Sequence, residues 1–100
     1  MKLQNGHIII PSAIVQEVLN SENQINYVYY PERRQLLLAA KSKHFFEQLH
    51  ATQWTILKDK NLQGDKSWFV REILIDHELD DTDRTLMYEI KTTGIISIDL

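Results

Sequence analysis

One hundred residues, 43 % of them apolar and none a cysteine, are expected to form a single domain with its own core; they exclude a disulfide framework, a thiol nucleophile and a cysteine-ligated zinc site. The net charge of −3 is uneven: residues 1–66 carry eight Lys/Arg against six Asp/Glu, and residues 67–100 carry three against eight. A polyanion would therefore meet the first two-thirds of the chain and be repelled by the last third. No apolar run approaches the roughly 20 residues that span a bilayer, and no apolar signal region follows Lys2, so a soluble, cytoplasmic protein with no membrane contact is expected.

In chain order, Lys2 to Ile10 reads as a strand that Pro11 ends, because proline has no N–H for the ladder. A short helix follows, with Pro11 in its first turn and Ser12 as candidate N-cap. Ile14, Val15, Val18 and Leu19 fall on its buried side. After the polar loop Asn20 to Asn23, Ile25 to Tyr30 is a strand with Ile25, Tyr27 and Tyr29 on one face. Pro31 suits the second position of a type I turn, and Gln35 to Ala40 is the return strand. Leu36, Leu37 and Leu38 are apolar on both faces, as in a strand covered on both sides.

Ser42 is the candidate cap of a second helix, Lys43 to Ala51, with Phe45, Phe46 and Leu49 as its buried stripe. Trp54 to Lys58 and Ser67 to Ile75 read as strands joined by the polar stretch around Gly64. Residues 82–93 have two readings. Arg84 to Ile90 and Ile95 to Asp99 can form a hairpin whose turn places Gly94 at φ > 0. A helix from Thr82 to Thr93 capped by Gly94 is the rival, and its four threonines disfavour it. No internal repeat is legible. The pattern β-α-β-β-α-β-β-β-β predicts a strand-rich α+β fold, a small β-barrel or half-barrel with two short helices.

Several residue groups carry a functional and a structural reading. Arg33 and Arg34 at the hairpin tip, with Lys41 and Lys43 nearby, can neutralise phosphates or form a solvated turn. Tyr27 to Tyr30 can stack on unpaired bases or pack across strands. The acidic run Asp76 to Asp83 fails the EF-hand pattern: Asp81 stands where glycine is needed and Met87 where the bidentate glutamate belongs. His7, His44, His50 and His77 lack metal-binding spacing, and no nucleophile elbow, P-loop or dinucleotide fingerprint is present. Asp76 and Glu78 are the one carboxylate pair considered for acid–base work, and the chain is read as non-enzymatic, without cofactor or metal.

The residues Gly6, Ile8, Ile10, Pro11, Ile14 and Leu19, followed by the hairpin Ile25 to Ala40, form a strand that ends in proline, a short helix and a hairpin. This stretch, about Leu3 to Lys41, resembles the swapped-hairpin half-barrel of the AbrB/SpoVT and MraZ families. The resemblance implies a homodimeric DNA-binding transcriptional regulator in which hairpins of two half-barrels interleave. The contact residues would be His7, Arg33, Arg34 and Lys41. The chain departs from the family pattern where basic residues are usual: His7 follows the glycine, Ser12 follows the proline, and Gln16 and Glu17 lie on the outer helix face. The alternative is a non-catalytic protein-interaction module of similar fold that binds no nucleic acid.

Overall fold

Asn5 and Gly6 split the first predicted strand in two. Their φ angles are 51° and 77°, the left-handed pair that a two-residue type I′ hairpin requires. The computed structural model describes residues 1–100. In chain order the elements are β1 (Lys2–Gln4), β2 (His7–Ile10), α1 (Ser12–Glu17), β3 (Gln24–Tyr30), β4 (Gln35–Ala40), α2 (His44–Leu49), β5 (Gln53–Ile56), β6 (Lys58–Asp59), β7 (Lys66–Phe69), α3 (Arg71–Asp76), β8 (Arg84–Thr85), β9 (Tyr88–Ile90) and β10 (Ile96–Asp99). The fold is α+β and strand-rich. Its two antiparallel sheets run β6-β7-β2-β1-β8 and β5-β3-β4-β10-β9, and neither closes into a barrel.

Three helices form, not two. The predicted strand Ser67 to Ile75 ends at Phe69, and α3 takes over. Val70 and Leu74 are buried, and Leu74 N–H bonds to Val70 C=O (3.1 Å). That spacing of four is helical. Two other predicted strands are interrupted where a buried leucine turns inward. Leu57 separates β5 from β6 and Leu86 separates β8 from β9. At these corners the chain passes from one sheet to the other, tied by Leu57 N–H to Asn23 C=O and Leu86 N–H to Met1 C=O.

The hairpin reading of the last strands holds. Lys91 and Ile95 are bonded across the turn (2.8 Å), and Gly94 sits at φ 86°. In α2 only Phe46 of the expected stripe is fully buried; Phe45 is partly buried and Leu49 is 70 % exposed. Neither serine caps a helix. Pro11 and Lys43 hold the cap positions. Ser12 N–H is instead held by Asp65 Oδ1 (2.8 Å) from the β6–β7 loop, and Ser42 bonds to the Glu22 carboxylate.

The core lies between the sheets. Ile8, Ile10, Leu3 and Trp68 from the first sheet meet Ile25, Leu36, Leu38, Ile96 and Ile98 from the second, with Ile14, Val15 and Leu74 from the helices. β4 is covered on both faces, as its leucine run predicts: Leu37 and Ala39 face the other way, against Phe46 and Ile95 under α2.

Two stretches of the chain run alike, β1–β2–α1–β3–β4 and β6–β7–α3–β8–β9–β10, the second with one more strand because Leu86 and Met87 interrupt Arg84 to Ile90. The units meet through like strands: β2 pairs with β7 and β4 with β10, both antiparallel. This is the pairing that an approximate two-fold axis within one chain requires. Ile8 and Trp68, Ile10 and Val70, Ile14 and Leu74, Leu36 and Ile96, and Leu38 and Ile98 are all buried, each pair sixty positions apart.

Candidate nucleic-acid interface

Strand registers decide what the first sheet shows to solvent. Leu3, Ile8 and Trp68 are mutual partners and point inward. The flanking rungs point outward: Gln4, His7 and Phe69 in one, and Lys2, Ile9, Ser67 and Lys58 in the other. Alternation carries the same face round the corner, because Leu57 points in and Ile56 and Trp54 point out.

These side chains enclose a cleft of about 480 Å³ between the edge of β5 and the β7–β2 pair. Trp54, Ile56 and Phe69 are each more than half exposed there, a group of apolar side chains that a folded chain ordinarily buries. The His7 ring packs at 5.1 Å on Phe69, and His7 Nδ1 lies 3.0 Å from Asn5 C=O. Lys58 lines the cleft, and Lys41 Nζ sits 4.3 Å from the Trp54 ring centroid, a cation–π contact. No carboxylate lines it. The nearby acids are engaged elsewhere: Asp59 with Lys66, Asp65 with Ser12 and Asn61, and Asp83 with Asn5 N–H. The Asn61 amide and then the Ser12 N–H hold the Asp65 carboxyl below the usual carboxylate range.

Of the four residues singled out from sequence, His7 and Lys41 come together at this cleft through Phe69 and Trp54. Arg33 and Arg34 do not join them. They occupy the far tip of the β3–β4 hairpin, whereas Lys41 N–H bonds Gln24 C=O at its other end. The seven residues of β3 between them span roughly 23 Å. Arg33 lies over the Tyr30 ring (5.0 Å), and Arg34 adopts φ 51° with its carbonyl accepting Leu100 N–H.

Tyr27 and Tyr29 of β3 pack against the other sheet and the end of α3. Tyr27 sits 5.1 Å from Trp68 and donates to Gln53 Oε1 (2.8 Å); Tyr29 stacks on His77 at 4.5 Å. Burial pushes both phenol pKa values up, reinforced at Tyr27 by Glu72. In the acidic run, Asp80 accepts the N–H and hydroxyl of Thr82, which hold its carboxyl below the usual range, and Arg84 adds to this. No three His, Asp or Glu side chains are grouped to hold a metal ion.

Sequence reasoning passed over Trp54, Ile56, Lys58, Ser67 and Phe69. Their signal was present as period-two alternation: Trp54, Ile56 and Lys58 share one face of a strand, and Ser67 and Phe69 share one face of the next. What the sequence lacked was the register that sets the two strands side by side. No protein-family model, curated protein or solved structure matches this chain.

Proposed function

We propose that this chain is a small non-catalytic nucleic-acid-binding protein of AbrB/MraZ-like architecture, a regulator that contacts its target through the Trp54–Phe69 cleft. The antiparallel pairing of β2 with β7 and of β4 with β10, between two stretches of similar element order, supports that reading. The observation that carries the binding reading is the cleft's composition: half-exposed aromatic side chains with Lys58 in the lining, Lys41 against the Trp54 ring, and no carboxylate. Aromatic platforms take bases by stacking, worth about 1–3 kcal/mol per base, while lysines neutralise phosphates.

The test uses fluorescence. Trp54 is 54 % exposed and Trp68 is 1 % exposed, so quenching reports the cleft. Single-stranded and duplex oligonucleotides are titrated at low salt and again at higher salt. Two phosphates neutralised by Lys41 and Lys58 give a log–log salt slope of about −1.4 for single strands and about −1.8 for duplex. Phe69→Ala weakens binding at least about fivefold, and Lys58→Glu weakens it further. Charge reversal at Arg33 and Arg34 leaves it nearly unchanged. Loss of binding from that reversal alone moves the site to the hairpin tip. No binding at low salt overturns the reading and leaves the protein-interaction module, which the exposed apolar side chains of β9 favour.

A further inference from the structure

The strand β9 has an edge open along its whole length, where its counterpart is covered in part. In the internal two-fold, Tyr88 opposes Ile98 as Tyr27 opposes Leu38, and Ile90 opposes Ile96 as Tyr29 opposes Leu36. So β9 corresponds to the part of β3 from Tyr27 to Tyr29, of which Tyr27 alone has a partner on β5. On its other side β3 is paired antiparallel with β5, with Tyr27 against Gln53 and Asn26 against Trp54. Nothing pairs with β9 there. Tyr88 and Ile90 remain 41 % and 43 % exposed beside the buried Ile98 and Ile96, and Met87 is 73 % exposed.

The backbone of this edge is set for a further strand. Lys91 N–H bonds Ile95 C=O, and Asp99 N–H bonds Met87 C=O, so residues 87, 89 and 91 direct their polar groups toward β10. By alternation, the N–H and C=O of Tyr88 and Ile90 point outward. Short edges bearing charges ordinarily resist pairing. Here the charges are of both signs: Glu89 and Lys91 lie on one face, 3.8 Å apart.

We propose that two copies of this chain associate by antiparallel pairing of β9 with β9 about a two-fold axis at Ile90. Two registers bring the outward groups together. An axis at Glu89 sets Glu89 directly against its own copy, like charge on like. An axis at Ile90 sets Glu89 of each copy against Lys91 of the other, twice, and lets the two Ile90 residues exchange their N–H···O=C bonds. Charge complementarity selects the second. The pairing consumes both open edges and so closes as a dimer. This inference is independent of the nucleic-acid reading.

Sedimentation velocity over micromolar to millimolar protein, without nucleic acid, tests it. The wild type dimerises with rising concentration. Glu89→Lys and Lys91→Glu each raise the dimer dissociation constant roughly tenfold, because two attractive cross-strand pairs become repulsive. The double variant Glu89→Lys/Lys91→Glu restores dimerisation, since the pairs are remade with signs exchanged. Both side chains are substantially exposed, so the variants fold. A monomer at every concentration overturns the proposal. So does a dimer that the double variant fails to restore, or one indifferent to the single changes, which is the result the Glu89-centred register gives because residue 89 there faces like charge in every variant.

Discussion

Asn26 is a polar residue placed where an apolar one would serve better. It sits mid-strand in β3, 3 % exposed, opposite Ala39 on β4 and Trp54 on β5. Its Nδ2 has no hydrogen-bond partner in the chain. A buried amide that leaves water without finding a partner costs about 1–3 kcal/mol, and exchanging Asn for a β-branched residue in a strand adds up to ~1 kcal/mol. Asn26→Val removes the unpaired group, so the variant gains about 1–3 kcal/mol. At ~4–8 °C per kcal/mol for a domain of this size, the melting temperature rises by roughly 5–20 °C. Urea unfolding followed by tryptophan fluorescence measures the gain, with the midpoint moving up at constant m. Asn26→Asp is the control, because it buries a charge with no cation opposite and is strongly destabilising. A loss of about 1 kcal/mol or more in Asn26→Val would refute the reasoning, since it means that the amide is donating a hydrogen bond.

Phe46→Ala empties the centre of the contact between α2 and β4 and costs about 3–5 kcal/mol in urea unfolding, whereas Leu49→Ala, at a 70 % exposed site, stays within about 0.5 kcal/mol. Gly6→Ala puts a Cβ 2.7 Å from Arg71 Nε at a φ of 77°; the left-handed backbone alone costs about 1–2 kcal/mol, read as a lower urea midpoint. Asp65 has a depressed carboxyl pKa, so its contribution is complete above the unfolded value of about 3.9 and fades as pH falls through the lower folded value. Asp65→Ala therefore narrows its stability deficit against wild type as acid unfolding proceeds; a deficit that is the same at low pH as at neutral pH counts against the assignment.

How much of this fold was legible depended on whether a segment's neighbours were local. The hairpin β3–β4 was readable because Pro31 and the alternation of Ile25, Tyr27 and Tyr29 act within a few residues. The hairpin at Gly94 was readable for the same reason. The Asn5-Gly6 turn was equally local and was missed, because three isoleucines and a proline drew the whole segment into one strand. Leu57 and Leu86 were illegible on other grounds. Each breaks a strand only because a second sheet waits at an angle to receive it, which is a fact of tertiary packing. The internal two-fold was hidden because its halves keep burial but neither residue identity nor size, as Ile8 and Trp68 show. Their first hairpins also differ in length, two loop residues at Asn5-Gly6 against six at Lys60 to Asp65.

That hidden symmetry bears on how many sites the chain offers. Two-fold related halves would give two equivalent clefts if side chains followed the backbone. They do not. Lys58 and Gln4 are counterparts, each next to the second strand of its hairpin opposite Ser67 or His7. Phe69 has Ile9 as its counterpart, and the exposed Trp54 has none, because no strand lies beside β9 as β5 lies beside β3. The related position, around Lys2, Gln4 and Ile9, has no aromatic side chain in its lining. A base finds nothing to stack on there. The expected stoichiometry is therefore one short oligonucleotide per chain, measured by calorimetry with an oligonucleotide of about 4–6 nucleotides, near the lower site size of small stacking platforms. Two equal sites per chain would mean that the backbone symmetry, and not the aromatic and lysine side chains of one cleft, governs binding.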